Sequence, residues 1–157
     1  MGRVYSATFQ NGTILTTGTL DIFEVRPAAN KPIIIHAIFL GQTSEIQDAE
    51  EQILRYSLVR GNTTSGSGGG TPTPQPMDVN SAAAGAGVDT MNTTAASAGT
   101  AVNVYSDAFN IRTGLQLIFT PEMRPRVQNT AFIVMRLGAQ PSKQITGVNG
   151  TIVFEEM

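Results

Sequence analysis

In the run QILRYSLVRG, Leu54, Tyr56 and Leu58 alternate with Arg55, Ser57 and Arg60. Side chains on a strand point to opposite faces with a period of two, so this pattern reads as a strand with one face in a core and the other in water. The same alternation recurs in RVYSATF, which sets Tyr5, Ala7 and Phe9 against Val4, Ser6 and Thr8. LDIFEV, IIIHAIFLG, TAVNVYSDAFNI, GLQLIF, TAFIVMRLG and GTIVFEEM are further β-rich runs, giving eight candidate strands with NGTILTT as a weaker ninth. Breakers separate them: RPAANKP with Pro27 and Pro32, Thr113-Gly114, and GAQPS. Many short strands divided by such turns predict an all-β fold, an antiparallel β-sandwich of jelly-roll-like type. At 157 residues the chain suits a single domain.

One segment differs in kind. From Gly61 to about Ala101 the chain has eight Gly, eight Ala and no Lys, Arg or aromatic residue. It opens with GNTTSGSGGGTPTPQP, a glycine cluster that suggests a phosphate cradle. A P-loop needs Lys and Ser/Thr directly after its glycines at the start of a helix, and here TPTPQP follows. A dinucleotide fingerprint fails for the same reason. Strand patterns continue on both sides, so the segment reads as a long loop insertion between strands, with AGVDTMNTT able to add a short edge strand. As an arm that orders on a neighbour, it predicts that deleting Ser65 to Pro76 spares the fold and weakens assembly. Elsewhere, TSEIQDAEEQIL fits one helical turn or more, with Ser44 as cap, Gln47 at the capping-box position, and Glu45, Asp48, Glu50 and Glu51 in its first turns. The acidic group itself reads as a solvated or interface-facing edge, since it lacks the ligand alternation of a calcium loop.

Composition narrows the function. Charged residues are 14% of the chain, and small uncharged residues such as its 19 Thr take their place. So little charged surface favours burial in an assembly. A net charge of −2 gives no basic stripe for nucleic acid. There is no Cys, and the single His36 lies inside an apolar strand, where it reads as structural, bonded to a neighbour or facing an interface. One His cannot build the usual metal site, and no G-x-S-x-G elbow exists to serve a triad. Glu24, Glu122 and Glu155 offer carboxylates, but their spacing pairs no two of them. The longest apolar run, PIIIHAIFL, is too short to span a bilayer. These observations point away from an enzyme, a cofactor, a metal or a membrane. In FTPEMRPRV, Pro121 and Pro125 stiffen an extended segment whose Arg124 and Arg126, one on each side of Pro125, are suited to meeting carboxylates of a neighbour.

Four stretches, GRVYSATF, KPIIIHAIFLGQTSEIQDAEEQILRYSLVRGNTTSGSGG, NTTAASAGTAV with DAFNIRTGLQLIFTPEMRP, and GTIVFEE, resemble a family of small structural proteins encoded in tailed-phage and prophage genomes. The resemblance spans most of the chain. Such proteins are similar in size and strand content to jelly-roll capsid cement, or decoration, proteins. What the resemblance implies is a virion protein on the outer surface of the capsid. It would bridge copies of the major capsid protein, act as a homodimer or homotrimer, and need no cofactor. Large, weakly charged, complementary surfaces serve such a role. The expected partner contacts are Thr64, Ser65, Gly66, Gly68 and Gly69 of the loop, with Arg124 and Arg126. The alternatives are a carbohydrate-recognition jelly roll on the virion or another head or tail component. Tyr5, Tyr56 and Tyr105 are the only tyrosines and there is no Trp, so the sugar-binding reading ranks below cement.

Overall fold

The apolar faces read from the sequence meet in one interior. The computed structural model describes residues 2–43, 52–128 and 130–157, so the expectations for the acidic run lie outside the described residues. Its strands are β1 (Arg3–Ile14), β2 (Asp21–Arg26), β3 (Ile33–Gln42), β4 (Ile53–Arg60), β5 (Gln75–Pro76), β6 (Gly87–Asn92), β7 (Val102–Asn110), β8 (Leu115–Ile118), β9 (Arg126–Val127), β10 (Ile133–Leu137) and β11 (Ile145–Glu156). One sheet has the order β5-β1-β11-β3-β8, with β9 also on β3; the other has the order β6-β2-β10-β4-β7. Every pairing is antiparallel.

Leaving aside the short β5 and β9 and the edge strand β6, eight strands remain. They pair β1 with β11, β2 with β10, β3 with β8, and β4 with β7. This is one long hairpin of four strand pairs, rolled so that alternate pairs fall into opposite sheets, which is a jelly roll. These eight are the eight runs read from the sequence. The first four residues of NGTILTT continue β1, which bends through register shifts between Phe9 and Gly12 and between Gly12 and Ile14, and the remaining three lie outside the strand. Between the sheets pack Tyr5, Ile22, Phe23, Ile35, Leu54, Tyr56, Leu58, Met135, Ile152 and Phe154, all at most 2% exposed. The Tyr5 and Phe154 rings stack at 5.8 Å, and Phe9 tilts against Phe23 at 5.3 Å.

The insertion from Gly61 to Ala101 folds back on its own chain. Residues 61–70 and 90–100 run antiparallel through the bridges Thr64–Ser97, Ser67–Thr94 and Gly70–Thr90. Gly69 is required by this close approach, since a Cβ there would overlap the carbonyls of Thr90 and Met91. Gly66 lies as tightly against the Thr94 carbonyl. The glycine cluster thus lets two backbones pass side by side. AGVDTMNTT supplies β6 on the edge of β2, the short edge strand expected of it, and Gln75–Pro76 adds a two-residue strand to β1. One segment therefore reaches the outer strands of both sheets and wraps one side of the sandwich.

Candidate interaction surface

Buried carboxylates hold the wrapped side. Glu24 on β2 is fully buried. Its Oε1 accepts from Ser65 Oγ at 2.7 Å and Arg26 Nη1 at 2.9 Å, while Oε2 accepts from the Gly66 amide at 2.9 Å. Asp89 on β6, directly across from Glu24, pairs with Arg26 through both guanidinium nitrogens. Burial pushes the Asp89 carboxyl up, but Arg26, with hydrogen bonds from Ser65 and Asn92, holds it below its ordinary value. A second clamp forms on Asp21, which binds the Arg136 guanidinium at 2.6 and 3.0 Å and accepts from the Ala96 amide at 2.7 Å. Arg136 also donates to the Ala96 carbonyl at 2.9 Å. Beneath these clamps Val59, Val134 and Ala96 form a small apolar cluster with Phe132. This covering explains why TAFIVMRLG is apolar on both faces. Farther along, Glu156 accepts from the amides of Gly85 and Ala86 and from Lys31, and Tyr5 donates to the Ala82 carbonyl at 2.9 Å.

On the opposite side, among the described residues, no strand covers the sheet edges. β7 and β8 end their respective sheets, and β7 runs for nine residues with Val102 and Val104 exposed. Beside them Ile118 and Met123 are 67% and 60% exposed. Between the edges lies a groove of about 400 Å³, lined by Arg60, Val104, Tyr105, Phe119, Met123, Arg124, Pro125 and Arg126. Tyr105 meets Phe119 edge-on at 5.8 Å and anchors its floor to the core. Arg124 Nε is buried without a hydrogen-bond partner. Among the described residues, no carboxylate forms an ion pair with Arg60, Arg124 or Arg126, whereas Lys31 and Arg136 each have one and Arg26 has two.

The residues expected to meet a partner thus divide. Arg124 and Arg126 come together in the groove, on the segment that Pro121 and Pro125 stiffen. Thr64, Ser65, Gly68 and Gly69 are exposed on the wrapped side, while Gly66 is buried with its amide spent on Glu24. Ser65 faces inward through its hydroxyl, and Thr64 exchanges backbone hydrogen bonds with Ser97. The loop residues and the arginines therefore lie on different sides of the molecule. His36 has a structural neighbour, Glu155 Oε2 at 3.0 Å, and the Gly2 amide donates to the other oxygen of that carboxylate at 2.8 Å. Arg60, Tyr105 and Phe119 were missed as groove residues. Arg60 closes the alternating strand and reads there as an ordinary solvated end; only the rolled topology brings it beside residues 123–126. Comparison of the chain with protein-family models, with curated proteins and with solved structures returns no match.

Proposed function

We propose that the protein is a structural virion protein, a decoration protein that binds the outer surface of a tailed-phage capsid and bridges major capsid proteins. The observation that carries this reading is the asymmetry of the sandwich. One side is closed by the chain's own insertion, and the other presents two sheet edges with exposed Val102, Val104, Ile118 and Met123. A long uncharged edge strand left open invites pairing with another chain, and proteins that stay monomeric blunt such edges. β7 carries one charged residue, Asp107, in nine. The low charge of the whole chain and the family resemblance of its strands support the same reading. Self-association as a homodimer or homotrimer through this side belongs to it.

The test is addition of the purified protein to expanded capsid shells that lack it. Saturable binding and a rise in the temperature at which the shells fall apart are expected. Absence of binding at saturating concentration contradicts the proposal.

One observation favours a second reading, a carbohydrate-recognition module. Phe39, Gln10 and Gln116 line a shallow trough of about 370 Å³ across β1, β11, β3 and β8, with Thr8 and Thr151 beside them. A half-exposed aromatic ring with side-chain amides and hydroxyls is the chemistry that a neutral sugar uses. A glycan array separates the readings: hits abolished by Phe39→Ala support the module, and an empty array removes it.

A further inference from the structure

The groove on the open side has a chemistry of its own. We propose that Arg60, Arg124 and Arg126 form a binding site for a carboxylate side chain carried on an extended segment of a partner polypeptide. Three cationic side chains converge there without an anionic partner among the described residues. Arg124 is held with its Nε buried and without an acceptor among the described residues, so its terminal nitrogens are the donors left for an incoming carboxylate. The planar fork of a guanidinium matches a carboxylate through two parallel hydrogen bonds.

The rest of the lining selects the carrier. Val104, Tyr105, Phe119 and Met123 make half of the wall apolar or aromatic, and no Lys lies in the groove. A phosphodiester chain would want a cationic track along its length, whereas an acidic residue between apolar ones fits this wall. Val104 and Tyr105 belong to β7, so the groove runs into the free edge of that strand. An incoming segment can hydrogen-bond along this edge while its acidic side chain reaches the arginines, which is strand addition with a charged anchor. The inference stands apart from the capsid reading, because it specifies the chemistry of the partner segment and leaves the identity of its parent protein open.

The test uses the full chain and a fluorescently labelled, acetylated and amidated peptide that alternates valine with glutamate. Its counterpart has glutamine in place of each glutamate. Saturable binding of the glutamate peptide is expected, weakening as salt rises, with the glutamine peptide at least about tenfold weaker. The double variant Arg124→Gln/Arg126→Gln should lose about tenfold in affinity. Because these arginines make no ion pair among the described residues, the melting temperature should not fall; if it does, Val104→Glu, which places a carboxylate in the groove from within, should block the peptide instead. Equal binding of the two peptides overturns the proposal, as does wild-type affinity in both variants. Lack of saturable binding, or displacement by inorganic phosphate at the peptide's own concentration, overturns it too.

Discussion

Glu24 and Asp89 face each other across β2 and β6, and one guanidinium, Arg26, lies between them. Two like charges this close persist because Arg26, Ser65 and the Gly66 amide each satisfy part of the pair. For Asp89 the folded state binds its proton less readily than the unfolded chain does. Its contribution to stability is therefore fully present above the ordinary value of 3.8 and is lost as pH falls through the depressed folded value. Thermal melts from neutral pH down to about pH 2 should show this loss, and Asp89→Asn should flatten that part of the profile. An unchanged acid limb in the variant would contradict the assignment. Glycines give a second test at this scale. Gly69→Ala should cost about 1–3 kcal/mol, because the added methyl overlaps backbone that cannot move away. Gly41→Ala, which meets open space in β3, should stay within about 0.5 kcal/mol of the parent. Equal melting temperatures for the two variants would remove the close-approach argument.

At the scale of elements, the strands were legible and the insertion was not. Alternation identifies a strand because burial of one face is a local matter, and Leu54, Tyr56 and Leu58 are buried as their spacing required. The glycine run carries no such periodicity. Its meaning lies in a second segment some thirty residues away that packs against it, as the Thr64–Ser97 and Ser67–Thr94 bridges show. The clamps were hidden for the same reason. Asp21 and Glu24 are far in sequence from the Ser65, Ala96 and Arg136 that meet them, and acidic residues in a strand ordinarily read as solvated. Arg124 and Arg126 could be read in advance, because two prolines beside two arginines signal a stiff basic segment; Arg60 could not. The structure also reverses one expectation for the insertion. Removing Ser65 to Pro76 would take away the Ser65 and Gly66 donors to Glu24 and the β5 pairing on β1. Glu24 would keep Arg26 and Asn92, but the loss of two hydrogen bonds to a buried carboxylate costs roughly 1–3 kcal/mol each, so this deletion should lower the melting temperature. A deletion variant as stable as the parent would show that the arm is dispensable to the fold.

Taken whole, the molecule is a jelly roll with one finished side and one unfinished side. The chain spends about forty residues, 61–101, on reaching β1 and β2, adding β5 and β6 to them, while among the described residues no further strand pairs with the outer edges of β7 and β8. That distribution suits a protein whose open edge is completed by another chain, and the arginine groove gives the completion a chemical address. Within the capsid reading, the insertion confers stability on the single subunit and the open side confers attachment. Copy number tests this most directly. Quantitative mass spectrometry of purified particles that contain the protein should find it on the order of hundreds of copies per particle, as a protein repeated over a symmetric shell must be. A single ring of about six or twelve copies would place it at a portal or tail and contradict the proposal.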